Sequence, residues 1–105
     1  MLELDNGVRI AETAAICEYL EDRFPDPALI GATPEARAVT RMWWRRTDLI
    51  VVQPMTTGFR GAEGLPLFQG RVRCLPQAAD DLKQATQEGL AWFEAQLGDK
   101  PYIAG

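Results

Sequence analysis

The amino-acid sequence predicts an α+β fold that is mostly α. Two short apolar runs, at residues 1–4 and 8–10, flank Asp5-Asn6-Gly7. Asn-Gly is a strong signal for a β-hairpin because both residue types tolerate a positive φ. After the hairpin, apolar residues recur at helical spacing in three stretches, which segments containing proline and glycine separate. We therefore expect two strands followed by three helices.

The first two helices have clear boundaries in the sequence. The first helix follows the hairpin directly and ends before Pro25, since proline cannot continue a helix and disfavours a helical residue before it. Residues 25–33 are the predicted linker. The second helix then begins at Thr33-Pro34-Glu35, which supply an N-cap, a first helical residue and a first-turn acid.

The remaining boundaries depend on proline and glycine. The second helix is expected to run to about Thr56, with Pro54 bending or ending it. Residues 58–70 contain four glycines and predict a loop. A third helix follows over the apolar stripe of residues 75–97, in which Gly89 marks a point of close packing.

Composition and charge exclude several classes of protein. The chain carries a net charge of -4, which argues against nucleic-acid binding because phosphates require a basic surface. The absence of histidine removes Ser-His-Asp and Cys-His catalysis together with the commonest metal ligand, so we expect no metal. No apolar run approaches the roughly 20 residues of a transmembrane helix. We expect neither a nucleic-acid nor a membrane partner.

The two cysteines predict no redox or metal site. Cys17 and Cys74 lie far apart and form no Cys-x-x-Cys pair. We expect reduced thiols in a cytoplasmic protein. Cys17 is expected on the buried face of the first helix, where a cysteine is usually inert packing.

The hairpin has too few partners to be stable alone. Two strands with one helix do not make a stable sheet, and the edge of the first strand would accept another strand. We therefore expect that sequence upstream, or another chain, completes the sheet.

The segment from Leu2 to Glu21 carries a specific resemblance. It contains a strand, an acidic-Gly turn, a second strand, and then Glu-Thr, Ala-Ile and Tyr-Leu. This order resembles the last β-hairpin and third helix of the thioredoxin-like N-terminal domain of glutathione S-transferases. Residues 26–38 look like the interdomain linker and start of the fourth helix in that family, and residues 90–105 look like the end of its fifth helix.

The resemblance implies a domain organisation. Residues 1–24 would form the end of the thioredoxin-like, glutathione-binding domain, residues 25–33 the interdomain linker, and residues 34–105 the start of the all-helical C-terminal domain. The fold would thus be truncated at both ends. The family's cis-proline and catalytic residue would precede Met1, so the catalytic residue is unknown and we expect no turnover from these 105 residues alone.

The resemblance also implies that Glu12 and Thr13 hold the γ-glutamyl end of glutathione. A helix N-terminus presents free N–H groups and a partial positive charge, which suit a carboxylate. The Thr13 hydroxyl adds a hydrogen bond, and the Glu12 carboxylate pairs with the ligand's ammonium group. From spacing alone, simple helix capping is the alternative.

Weaker site predictions concern the second helix. In the family, this helix lines the pocket for the electrophile, which makes Trp43, Arg46 and Ile50 candidates there. The alternative is a purely structural role, in which Trp43 packs inward, Trp44 is partly exposed and an arginine stacks on an indole ring.

A dimer contact is predicted between two charged helix faces. The spacing of Arg37, Arg41 and Arg45 places them along one face of the second helix, where a solvated surface is the alternative. Family dimers use this helix and the preceding one. The predicted partners are therefore acidic residues of the first helix in another subunit: Glu18, Glu21 and Asp22.

The function implied is that of a glutathione transferase. The protein would bind glutathione as co-substrate, lower the pKa of its thiol and transfer the thiolate to a small electrophile, without a metal and as a homodimer. The alternative from another class is a non-catalytic binding or dimerisation module with the same fold.

Overall fold

The chain forms a short antiparallel hairpin followed by helices, which confirms the predicted α+β, mostly α class. The computed structural model describes residues 1–104, so Gly105, the last residue of the segment 90–105 discussed above, lies outside the described residues. Contacts divide the chain into two compact units, Met1–Ala38 and Val39–Gly105. In chain order, the strands and α-helices are β1 (Leu2–Glu3), β2 (Arg9–Ile10), α1 (Thr13–Arg23), α2 (Pro34–Thr47), α3 (Gln53–Gly61), α4 (Leu65–Phe68) and α5 (Ala79–Leu97).

The hairpin closes through a loop that ends in glycine. Leu2 of β1 pairs with Ile10 of β2. The Leu4 N–H donates to the Val8 carbonyl at 2.9 Å, and Gly7 has a φ of 83°. A positive φ at the last loop position matches the right-handed twist of the strands, and glycine adopts it without a steric penalty. The Asn-Gly signal was therefore correct, although the positive φ falls on the glycine.

Helix α1 ends where proline predicted, but its acidic face differs from the prediction. We expected Glu21 to share an exposed face with Glu18 and Asp22. That expectation is wrong for Glu21, which is only 6% exposed. Its carboxylate accepts a hydrogen bond of 3.2 Å from the Ile30 N–H, because the linker folds back over this side chain. Glu21 thus holds the linker through a partly buried hydrogen bond to a backbone amide.

We expect Glu21→Ala to release this segment of the linker. Loss of the acceptor leaves the Ile30 amide unsatisfied, at a cost of about 1–3 kcal/mol. Amide hydrogen exchange at Ile30, followed by NMR, should accelerate by about tenfold or more. Glu21→Gln keeps an acceptor oxygen and is the matched control, so equal protection of the amide in both variants would contradict this role.

The start of α2 follows the predicted capping pattern. The Thr33 hydroxyl oxygen accepts the Ala36 N–H at 3.2 Å, Pro34 is the first helical residue, and Glu35 lies in the first turn. This N-cap satisfies one of the amides that a helix start leaves without an intrahelical partner.

Of the two alternatives for Pro54, bending or ending the helix, the second is wrong, because helical structure continues through Pro54 and past the expected end at about Thr56. A π-helical turn, Asp48–Val52, follows α2, and α3 continues to Gly61. Within the π turn, the Gln53 N–H donates to the carbonyl of Asp48, five residues earlier. Proline has no N–H to donate to the Ile50 carbonyl, but the π turn places Pro54 in the first turn of α3, where a missing donor costs little.

Two glycines predicted to lie in a loop instead lie in α3. A Cβ built on Gly58 would lie 3.2 Å from the Leu82 Cβ, and one built on Gly61 would lie 2.7 Å from the Leu75 carbonyl oxygen. The loop prediction is therefore wrong for this stretch, and also for residues 65–68, which form α4. These glycines allow α3 to approach the following segments closely.

Helix α5 agrees with its sequence pattern. A 3-10 turn, Pro76–Ala78, leads into it, and Asp80 and Asp81 occupy its first turn, where negative charge complements the helix dipole. A Cβ on Gly89 would lie 2.6 Å from the Ile50 carbonyl oxygen, which confirms the predicted close packing at this position. Within residues 1–104, no helix has the length and apolarity needed to cross a membrane.

Candidate functional site

Glu12 has an unusual backbone conformation at the start of α1. Its φ is 66° and its ψ is 124°, and its carboxylate makes no capping hydrogen bond to the helix. Its backbone carbonyl accepts the Ile16 N–H at 3.0 Å and so begins the helix. Positive φ is uncommon outside glycine and tends to persist at binding sites, where surrounding structure holds it. The Glu12 side chain therefore does not cap the helix.

Thr13 is the first residue of α1, and both Glu12 and Thr13 are exposed. The first N–H groups of a helix have no intrahelical partner and carry the positive end of the dipole. The first turn of α1 contains no acidic side chain. An external carboxylate can therefore approach the amides, with the Thr13 hydroxyl and the Glu12 carboxylate beside it.

Trp43 forms the centre of an aromatic cluster in the unit Val39–Gly105. Its side chain is buried, with ring centroids 6.0 Å from Trp92 and 5.6 Å from Phe93. The Arg46 guanidinium carbon lies 4.9 Å from the Trp43 ring centroid. Trp44 is half-buried. These positions confirm the packing predicted for Trp43, Trp44 and a stacked arginine.

Trp43 and Arg46 are absent from the lining of the cavity that contains Ile50. This cavity has a volume of about 490 Å³ and lies beside the π turn, where α5 supplies the opposite wall. The lining combines apolar side chains with one amide and one hydroxyl: Leu49, Ile50, Gln53, Pro54, Thr57, Leu82 and Ala85. Of these lining residues, only Ile50 was predicted from the sequence, because it is the π turn that brings the others together.

The predicted dimer residues partly engage one another within the chain. Within the unit Met1–Ala38, an Arg37 guanidinium nitrogen lies 2.9 Å from an Asp22 carboxylate oxygen. In the other unit, Arg45 pairs with Asp48 at 3.0 Å. Glu18 is half-buried and Arg41 is exposed. The arginine face thus already meets acidic groups, and a dimer contact through it stays a prediction.

The cysteines do not form a reactive pair. Both thiols are free; Cys17 is exposed and Cys74 is half-buried. The expected burial of Cys17 is wrong, because no described residue covers its face of α1. Across residues 1–104, no three acidic or cysteine side chains gather as a metal site would require.

Comparison with known proteins finds similarity along the whole chain. No protein-family model matches it. Glutathione S-transferase 2 of Saccharomyces cerevisiae is 34% identical over 110 residues, which cover 100% of this chain and 45% of that protein. Maleylacetoacetate isomerase of Pseudomonas aeruginosa is 30% identical over 112 residues, covering 99% of this chain and 47% of that one. The chain spans about half the length of the curated relatives it matches.

A solved structure shows the same fold. The crystal structure of Gtt2 from Saccharomyces cerevisiae matches with a TM-score of 0.85 at 31% sequence identity. The match covers 99% of this chain and 50% of that chain. Similarity in sequence and in backbone therefore extends over the same residues.

Proposed function

We propose that this chain, which is similar along its whole length to part of a glutathione S-transferase, belongs to that family, and that the protein binds glutathione and transfers its thiolate to a small electrophile. In such a transfer, the glutathione thiol loses its proton and the sulfur electron pair forms a bond to an electrophilic carbon. A leaving group departs, or the electron pair of a double bond moves away. The role that we assign to residues of this chain is binding of glutathione.

The observation that carries this proposal is the conformation of Glu12. A non-glycine residue with φ of 66° and no capping hydrogen bond holds its carboxylate available beside the N-terminus of α1. We propose that this carboxylate binds the ammonium group of the γ-glutamyl end. The Thr13 hydroxyl and the first amides of α1 would bind the carboxylate of the same end, because hydrogen bonds to charged groups are the stronger ones.

Substitution at this turn should weaken glutathione binding selectively. For the protein as its gene encodes it, we expect Glu12→Gln and Thr13→Val each to raise the Kd for reduced glutathione by about tenfold, as for one charge-assisted hydrogen bond. Isothermal titration calorimetry measures this. Glu35→Gln removes the same charge from the first turn of another helix and should leave Kd unchanged.

A shorter ligand provides a second control for this experiment. Cysteinylglycine lacks the γ-glutamyl group, so its weaker binding should not respond to Glu12→Gln or Thr13→Val. If both variants bind glutathione like the parent protein, or if Glu35→Gln weakens binding equally, the proposed role of this turn is wrong.

Turnover distinguishes an enzyme from a binding module. Conjugation of glutathione to chlorodinitrobenzene by the gene-encoded protein would support the transferase, whereas glutathione binding without turnover would support the non-catalytic alternative. The similarity to a maleylacetoacetate isomerase makes isomerisation of maleylacetoacetate, assayed with added glutathione, a necessary second measurement.

We also propose that the protein is a cytosolic homodimer, as its family implies. Asp22 remains largely exposed in its pair with Arg37. A second copy can therefore approach this pair without first breaking it.

A further inference from the structure

The cavity beside the π turn has a backbone carbonyl at its wall that the helix leaves without a donor. In an α-helix, the Leu49 carbonyl would accept the Gln53 N–H, but that N–H donates to the Asp48 carbonyl instead. The π-type alternative would use Pro54, which has no N–H. Helix carbonyls point towards the C-terminus, and from Leu49 this direction leads to Gln53 and Pro54, which both line the cavity. A ligand in the cavity can therefore supply the missing donor.

Thr57 adds a hydroxyl group to the same wall. Its side chain is half-buried and lines the cavity one helical turn after Gln53. Across residues 1–104, this hydroxyl makes no hydrogen bond, whereas the neighbouring Thr56 hydroxyl donates to the Val52 carbonyl at 2.8 Å. Partial removal of a polar group from water is unfavourable unless a hydrogen bond replaces the lost water. The wall thus combines one acceptor with one group that can donate or accept.

The remainder of the wall is apolar, and none of its described residues is ionisable. Apart from the amide of Gln53 and the hydroxyl of Thr57, the lining consists of aliphatic side chains: Leu49, Ile50, Pro54, Leu82 and Ala85. A charged ligand would lose hydration in this cavity and find no counter-ion in its lining. The lining therefore fits an uncharged ligand with an apolar body and one hydroxyl group.

We propose that this cavity selects uncharged electrophiles that carry a hydroxyl group. The ligand hydroxyl would donate to the Leu49 carbonyl and accept from the Thr57 hydroxyl, while the apolar body lies against Leu82 and Ala85. The inference rests on the proposed transferase function and on the placement of Ile50 in the electrophile pocket. With an enone, the glutathione sulfur bonds to the β-carbon and the electron pair of the double bond moves to the carbonyl oxygen. The α-carbon then takes up a proton, and no group leaves.

A matched pair of enones tests this selection with the gene-encoded protein and glutathione: benzylideneacetone and its para-hydroxyphenyl analogue. The selectivity is the ratio of their kcat/KM values, divided by the ratio of their uncatalysed rate constants with glutathione. The assay is run at a pH at which the phenol keeps its proton. We expect the protein to prefer the hydroxylated enone by about three- to tenfold, as for one uncharged hydrogen bond.

Three variants assign this preference to the wall of the cavity. Thr57→Val removes the hydroxyl group and should lower the selectivity by about threefold or more. Pro54→Ala gives the helix the N–H that it lacks and should also lower the selectivity, because that N–H competes with the ligand for the carbonyl. Thr56→Val is the matched control, since the Thr56 hydroxyl is bonded within the helix and does not line the cavity. Its selectivity should equal that of the parent protein.

The outcomes separate this inference from the proposed function. If the parent protein conjugates chlorodinitrobenzene but does not prefer the hydroxylated enone, the inference is wrong and the transferase function stands. The same conclusion follows if Thr57→Val and Thr56→Val lower the selectivity equally. Pro54→Ala tests the carbonyl even if Thr57→Val fails to fold, and unchanged selectivity in that variant would contradict the role of Leu49. A parent protein without turnover of any of these electrophiles would overturn both proposals.

Discussion

Trp43→Ala is expected to lower the free energy of unfolding by about 3–5 kcal/mol, the usual cost of removing a buried tryptophan. Trp43 is 9% exposed and contacts Trp92, Phe93 and the Arg46 guanidinium. Its removal leaves a void that these rings cannot fill, and it also removes the surface on which the Arg46 charge stacks. Urea unfolding followed by circular dichroism measures the loss without depending on tryptophan fluorescence.

Trp44→Ala is the matched control for this experiment. Trp44 has the same size, occupies the next position in α2 and is half-buried. We expect its substitution to cost only about 1 kcal/mol, the typical effect of a single substitution. Equal losses in the two variants would contradict the central position that we assign to Trp43.

Gly89→Ala is expected to destabilise the protein by about 1–3 kcal/mol, although alanine is the better helix former by about 1 kcal/mol. The new methyl group would lie 2.6 Å from the Ile50 carbonyl oxygen and 2.7 Å from the Ile50 Cγ2. A carbonyl oxygen belongs to the backbone and cannot rotate away, so α5 would have to move away from the π turn. The melting temperature and the urea midpoint should both fall.

Two further variants identify the cause. Glu88→Ala changes the adjacent exposed position in α5 and should leave stability within about 0.5 kcal/mol of the parent. Adding Ile50→Ala to Gly89→Ala removes the contact with Cγ2 but leaves the carbonyl, so the two substitutions should be non-additive, with partial relief. If Gly89→Ala raises stability, the close contact is absent in solution.

Local chemistry explains which elements were predictable. The Asn-Gly hairpin and the Thr33 cap depend on residues within a few positions of each other, and both agree with their sequence signals. The continuation of the helix through Pro54 was not predictable in this way. It depends on the hydrogen bond from the Gln53 N–H to the Asp48 carbonyl and on packing against α5. Neither interaction can be detected from the helical spacing of apolar residues.

The candidate site was predictable in identity but not in conformation. Glu12 and Thr13 follow from the resemblance, whereas a positive φ at Glu12 opposes the intrinsic preference of any residue other than glycine. The buried position of Glu21 depends on the path of the linker, and the cavity beside Ile50 depends on the π turn. Each of these features arises from tertiary structure.

The π turn also determines which side of α3 meets its neighbours. A hydrogen bond to the fifth preceding residue accommodates one more residue in the winding than an α-helix does, and each residue corresponds to about 100° of rotation. Helix α3, which follows Val52, is therefore rotated about its axis relative to its position in an uninterrupted α-helix. As a result of this rotation, Gly58 faces Leu82 and Gly61 faces Leu75. The close approach of α3 to α5 is thus encoded in the π turn as well as in the glycines that lie downstream of it.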